Sequence, residues 1–153
     1  MTISKTDFYL EMISKSHEAF REFLSHLSED ILDWRVHEYT STVRELIEHV
    51  IQDQMWIVNY IVDNKEKRYK LPKEISNMLI EDIVEVYDES ITAIEKKLVK
   101  INNLNLNVER SYKGQSLTVE DWLFEYIHHL NKHCGEINIA HTTWKRNERA
   151  LNS

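Results

Sequence analysis

The sequence predicts an all-α protein: an antiparallel four-helix bundle with a short irregular or hairpin segment before the last helix. Two observations lead to this fold class. Apolar residues recur every three or four positions through four long segments, which is the periodicity of amphipathic helices. The chain has only 2 Gly and 1 Pro among 153 residues, too few for the many tight turns of a β-sandwich or barrel. We expect residues 1–153 to form a single domain, because a chain of this length can enclose one core.

The first two helices have clear boundaries. The first is predicted to run from about Lys5 to Leu27, and its apolar stripe consists of Tyr9, Met12, Ile13, Ala19, Phe20, Phe23, Leu24 and Leu27. The second opens with Thr42 and Glu45 in the spacing of a capping box, in which the hydroxyl and the carboxylate each bind an otherwise free backbone amide. We expect this helix to end near Asp63.

The third helix lies between two polar segments. Asn64–Lys70 is charged and irregular, and Pro72 suits the first turn of a helix, where its missing amide hydrogen has no intrahelical partner to lose. The stripe that follows consists of Ile75, Leu79, Ile83, Val86, Tyr87, Ile94, Leu98 and Ile101. It fades into Asn102–Asn107, because Asn disfavours helix continuation.

A short segment precedes the last helix. Between Val108 and Leu117 the pattern alternates around Lys113 and Gly114, which predicts a small hairpin or a loop that crosses the bundle. Thr118 and Asp121 then repeat the capping spacing. The last helix carries the apolar residues Trp122, Leu123, Tyr126, Ile127, Leu130, Ile137 and Ala140.

Composition excludes several classes of function. The longest apolar run, Met55–Val58, is far shorter than the roughly 20 residues of a membrane span, and Met1–Tyr9 does not resemble a secretory signal, so we expect a cytoplasmic protein without a membrane partner. The net charge is -7 and the basic residues alternate with acidic ones, which argues against nucleic acid as a partner. One Cys supplies neither a disulfide nor a thiolate metal site, so any metal ion must be held by His and carboxylate side chains.

Two of the 8 histidines have the spacing to share a metal ion. On a helix, His129 and His133 point the same way beside the apolar stripe, close enough to bind one first-row metal ion. A pair of partly buried histidines hydrogen-bonded to neighbours fits the same pattern. A third ligand must come from another helix, and His49 is the candidate, although its place at the edge of its stripe also suits a boundary histidine. His128 is rotated by about 100° from His129 and is expected to face solvent.

Two segments resemble motifs of the DinB-like superfamily of four-helix bundles. Thr42–Val50 reads Thr-Val-Arg-Glu-Leu-Ile-Glu-His-Val and resembles the second-helix motif, whose closing His is a metal ligand. His129–Ile137 resembles the fourth-helix motif, His-x-x-x-His followed by Arg, Gly and Gln or Glu. Cys134 stands where Arg is common. The resemblance covers nearly the whole chain and implies a DinB/YfiT-like bundle.

The resemblance also implies a cofactor, which is a divalent metal ion, zinc or nickel, held by His49, His129 and His133 with coordination positions left open. Three neutral imidazoles leave the full charge on the ion, so a bound water becomes acidic or a substrate thiol binds as thiolate. We therefore expect a metal-dependent enzyme acting on a small-molecule substrate, either a bacillithiol-type thiol S-transferase or a hydrolase. The alternative is a non-catalytic bundle that binds a metal ion or a small ligand in a stress-related or structural role. A homodimer is a further expectation, since DinB-like proteins often pair through helix faces.

The carboxylates nearest the histidines are Asp53, one turn beyond His49, and Glu136, close to the face of His129 and His133. Either could hold the second nitrogen of an imidazole or act as a base, and both also suit plain surface charges. The sequence singles out no catalytic side chain beyond these.

Three aromatic residues, Trp56, Trp122 and Tyr126, are candidates to wall a cavity over the metal ion, or else belong to the core. Cys134 points about 100° away from His133 and is interpreted as a small core residue. The remaining histidines are interpreted as structural or solvent-facing: His17, His26, His37 and His141.

Overall fold

The computed structural model describes residues 3–153 and contains four long helices and one hairpin. The elements in chain order are helix α1 (Lys5–Ser25), a single 3-10 turn (Glu29–Ile31), helix α2 (Val43–Asp63), helix α3 (Ile80–Leu98), strands β1 (Glu109–Tyr112) and β2 (Gln115–Thr118), and helix α4 (Val119–Leu151). The predicted fold class, a four-helix bundle with a short irregular or hairpin segment before the last helix, is confirmed, and the segment is a hairpin. Among residues 3–153, no helix combines the length and apolar character needed to cross a membrane.

Capping boxes start α2 and α4, as the sequence predicts. The Thr42 hydroxyl accepts a hydrogen bond from the Glu45 amide at 3.1 Å, and the Glu45 carboxylate accepts one from the Thr42 amide at 2.7 Å. Thr118 and Asp121 form the same pair of bonds at 3.1 and 3.0 Å. The helix α2 ends at Asp63 because Asn64 adopts a left-handed conformation, with φ of 54°. Both helices carry histidines of the candidate site, and these caps fix the residue at which each helix begins.

The third helix differs from the prediction. Pro72 does not lie in its first turn, since α3 begins only at Ile80. The reason is a side chain from another helix: the guanidinium of Arg44 donates to the carbonyl oxygens of Ile75 at 2.9 Å and Met78 at 2.6 Å. These bonds stabilise an irregular segment, which buries Ile75 without helical structure.

Of the two alternatives predicted for the segment before the last helix, a hairpin or a crossing loop, the structure shows the hairpin. Tyr112 pairs with Gln115, which leaves Lys113 and Gly114 as a two-residue loop. Both loop residues have positive φ, 50° and 80°, as a type I′ loop requires. The glycine is the better suited of the two, because it lacks the Cβ that disfavours this conformation.

The buried face of α1 contains a histidine. Ile13, His17, Phe20 and Leu24 line this face, whereas Met12, which the sequence placed in the stripe, is exposed. His17 Nε2 lies 2.6 Å from the Tyr126 hydroxyl, and burial raises the pKa of that phenol, so the hydroxyl keeps its proton and can donate it to Nε2. Burial lowers the pKa of His17 to about 4. The nearest carboxylate, Glu95, is 3.6 Å from Nδ1, beyond hydrogen-bonding distance.

This burial predicts an acid-sensitive contribution to stability. In the unfolded chain His17 takes up a proton near pH 6.5, whereas in the folded chain it stays neutral down to about pH 4. Its contribution to the free energy of unfolding is therefore complete above pH 6.5 and is lost as the pH falls toward 4, a loss of about 3 kcal/mol. Urea unfolding of the wild type and of His17→Gln should show their difference in free energy shrinking by about this amount from pH 7 to pH 4. A pH-independent difference would contradict the prediction.

Candidate metal centre

Three histidines meet between α2 and α4. His49 comes from the second turn of α2, and His129 and His133 lie one turn apart on α4. His129 Nε2 is 3.1 Å from His49 Nε2 and 3.1 Å from His133 Nε2. The potential ligand atoms of all three residues lie within 4.8 Å of one another. The structure thus brings together the three histidines that the sequence singled out, and they could hold a metal ion.

The spacing of these atoms suits a first-row metal ion. Imidazole nitrogens bind zinc at about 2.0–2.1 Å, so two ligands of a tetrahedral site stand about 3.3 Å apart. The two separations of 3.1 Å are close to that value. The side chains become more exposed from His133 (9%) through His129 (20%) to His49 (46%), so the cluster opens toward solvent on the His49 side.

Glu136 orients one of the three clustered histidines, His133. Its Oε2 atom is 2.6 Å from His133 Nδ1. A carboxylate accepts hydrogen bonds, so neutral His133 carries its proton on Nδ1 and its lone pair on Nε2, the atom that faces the cluster. Holding the second nitrogen of an imidazole is one of the roles that the sequence suggested for Glu136.

His129 is held in its uncharged form. The pKa of His129 is lowered to about 4, chiefly by burial; the neighbouring His133 and His49 act in the same direction, while Asp53 acts in the opposite direction. At neutral pH the imidazole therefore keeps a lone pair available. Only the neutral form of histidine binds a metal ion, so this environment favours binding.

Asp53 occupies a different position from Glu136. Its Oδ2 atom lies 3.4 Å from His129 Nε2 and 3.7 Å from His49 Nε2, the nitrogens that face the cluster. It therefore does not hold a second imidazole nitrogen, and its position suits the other role suggested by the sequence, that of a base. Its second oxygen, Oδ1, accepts a hydrogen bond of 3.0 Å from Arg68.

A cavity of about 600 Å³ opens beside the histidines. Its wall is mostly apolar, with two hydroxyls, and it reaches His49, His133 and Glu136; the other lining residues are Val36, Thr40, Ser41, Leu46, Ile139 and Ala140. Val36, Thr40 and Ser41 belong to the connection between α1 and α2, for which helical periodicity gives no signal. A mostly apolar cavity with a few polar groups at one end is typical of a small-molecule site.

The sequence allowed two places for three aromatic residues, a cavity wall over the metal ion or the core, and the structure shows them in the core. Trp56, Trp122 and Tyr126 are packed in the core, and none of them lines this cavity. The Trp56 indole stacks on Tyr60 and donates to the Glu66 carbonyl oxygen at 3.1 Å, while Tyr126 binds His17. Their polar atoms find partners inside the protein, which allows the rings to be buried.

Two further expectations concern the neighbours of the clustered histidines. Cys134 is half-buried against the core, and burial raises the pKa of its thiol, so it stays protonated at neutral pH. His128 is exposed and stacks on Phe124, away from the cluster. Both observations agree with the sequence-based interpretation.

A four-helix bundle with three histidines clustered between its second and fourth helices defines a class of bundles that could hold a metal ion. The sequence profile of the DinB superfamily matches residues 12–137, and the chain belongs to this superfamily. The resemblance seen in the two histidine motifs is thus confirmed. The comparison with curated proteins gave no match.

Two solved structures share the fold. One is a DinB-like protein from Bacillus cereus, 16% identical, with a TM-score of 0.75 over 90% of this chain and 91% of that chain. The other is the DinB-like protein YjoA from Bacillus subtilis, 14% identical, with a TM-score of 0.73 over 90% of this chain and 92% of that chain. At these identities the likeness concerns the fold alone.

Proposed function

We propose that this protein is a metal-dependent enzyme that transfers a low-molecular-weight thiol of the bacillithiol type to a small electrophile. Hydrolysis of a small molecule is the close variant. The observation that carries the proposal is the convergence of the Nε2 atoms of His49, His129 and His133. A divalent ion bound there, zinc or nickel, would acidify a thiol or water that reaches its open positions. The proposal places the protein in the cytoplasm, where thiols are kept reduced.

The side chains around the cluster support this chemistry. In the transfer, the thiol loses its proton, a sulfur–carbon bond forms, and the leaving group departs from the electrophile with the bonding electron pair. The carboxylate of Asp53, 3.4 Å from His129 Nε2, is close enough to the cluster to accept that proton. The apolar cavity beside His49 and His133 suits the body of the electrophile.

The attacking sulfur is expected to come from a second molecule. Cys134 is the one cysteine of the chain, and its half-buried thiol is protonated at neutral pH because burial raises its pKa. A protonated thiol is a poor nucleophile. Cys134→Ser should therefore leave turnover largely intact.

The test compares chelator-treated protein with protein reloaded with Zn²⁺ or Ni²⁺, using bacillithiol and cysteine as thiols and an aryl halide as the electrophile. We expect the chelated protein to be inactive and either ion to restore turnover. Equal turnover of chelated and loaded protein would contradict a metal-dependent reaction. Loss of activity only in Cys134→Ser would assign the thiol to the protein. A loaded protein inactive toward every thiol and electrophile would instead support the non-catalytic metal-binding bundle.

A further inference from the structure

The histidine cluster has two chemically different neighbours along α2. Leu46 lies about one turn before His49 and Asp53 about one turn after it, so Leu46 and Asp53 stand about 10 Å apart along the helix axis. The apolar cavity lies at the Leu46 end. At the Asp53 end lies a cation, Arg68. A substrate at the histidines therefore meets apolar surface on one side and, on the other, the ion pair of Asp53 and Arg68.

Arg68 is held in place beside the cluster. Its guanidinium stacks on the Trp56 ring, with Cζ 3.8 Å from the ring centroid, and Nη1 donates to Asp53 Oδ1 at 3.0 Å. Trp56 is itself buried and fixed by its hydrogen bond to the Glu66 carbonyl oxygen. Since the other oxygen of Asp53 lies 3.4 Å from His129 Nε2, one carboxylate separates the guanidinium from the cluster.

This arrangement leaves binding capacity on Arg68. A guanidinium has five N–H donors, and in the hydrogen bonds of residues 3–153 only Nη1 is engaged, by Asp53. The side chain is 49% exposed, so the remaining donors can be reached from solvent. A guanidinium stacked on an aromatic face keeps its edge free for the bidentate binding of a carboxylate.

The surrounding charges favour an anion. The segment Lys65–Lys70 contains four basic residues and one acidic residue, Glu66, although the chain as a whole has a net charge of -7. A local excess of positive charge raises the concentration of anionic ligands near it. Arg68 is the member of this run that the structure ties to Asp53 and hence to the histidine cluster.

We propose that Arg68 is a specificity-determining residue that binds a carboxylate of the thiol substrate. The substrate class is then a carboxylate-bearing thiol, which approaches the histidines from the Asp53 side. The apolar electrophile occupies the cavity at the opposite side, against Leu46 and Ile139. This inference rests on the proposed function and adds to it the chemical class of the thiol and the side from which each substrate enters.

The test measures binding rather than turnover. Full-length protein loaded with Co²⁺ is titrated with 3-mercaptopropionate and with its neutral methyl ester, and the sulfur-to-cobalt absorption band reports each dissociation constant. We expect the wild type to bind the acid about tenfold more tightly than the ester, and Arg68→Gln to lose most of this preference. Lys67→Gln is the matched control, because it removes the same charge from the same segment, and it should keep the preference.

The outcomes distinguish a failure of the inference about Arg68 from a failure of the proposed thiol-transfer function. An undiminished preference in Arg68→Gln, or an equal loss of affinity for both thiols, would overturn the inference and leave the proposed function standing. The second of these results would assign Arg68 a purely structural role on Trp56. If neither thiol produces the absorption band in the wild type, the thiol-transfer function fails and this inference fails with it.

Discussion

Replacing His49, His129 or His133 singly with Ala is expected to lower the affinity for Zn²⁺ by more than about a hundredfold. Loss of a residue that merely orients a ligand costs about 10- to 100-fold in affinity, and loss of a ligand itself should cost more. The measurement is the metal content of each purified variant after dialysis against a weak chelator. Competition with a chromophoric chelator then gives the dissociation constant.

His128→Ala is the matched control, since His128 lies on the same helix but is exposed and stacks on Phe124. It should retain metal as the wild type does. Retention of the ion by His133→Ala, or its loss from His128→Ala, would show that the ligand set is wrong.

Arg44→Ala is expected to reduce the free energy of unfolding by about 3 kcal/mol. Arg44 is buried, and its guanidinium makes two hydrogen bonds to Asp33, at 2.7 and 3.1 Å, besides those to the carbonyl oxygens of Ile75 and Met78. Truncation leaves those carbonyl oxygens without their partner and releases the segment that precedes α3. Urea unfolding monitored by circular dichroism measures the change.

Arg21→Ala supplies the comparison. Arg21 also binds a carboxylate with two nitrogens, at 2.8 and 2.9 Å from Asp88, but both side chains are substantially exposed, 52% and 41%. An exposed pair of this kind contributes at most about 1 kcal/mol. If the two substitutions destabilised the protein equally, burial of Arg44 would not be the reason for its effect.

Short-range features of the fold were predictable from the sequence. The capping boxes at Thr42 and Thr118 depend on residues three positions apart, and the hairpin loop depends on two adjacent residues, Lys113 and Gly114. The shared face of His129 and His133 follows from the helical repeat alone. Each feature is set by neighbours in the chain, so the pattern of residue types contains the information that defines it.

The contact of His49 with the other two histidines was only partly predictable from the sequence. His49 and His129 are separated by 80 positions, and His49 lies at the edge of its helical stripe, so periodicity left its role open. The resemblance to the DinB-like motifs pointed to it, and the packing of α2 against α4 brought the three side chains together.

The sequence by itself determined the four helices, the position of the short segment before the last helix, and the shared helix face of His129 and His133. Only the tertiary structure decided that α3 starts at Ile80, that His17 is buried, and that Arg68 rather than an aromatic wall flanks the cluster on one side. The physical reason is that these features depend on contacts between distant segments: Arg44 with the carbonyl oxygens before α3, His17 with Tyr126, and Arg68 with Trp56. Helical periodicity records which side of a helix is apolar, but it does not record which residue from another segment that side will meet.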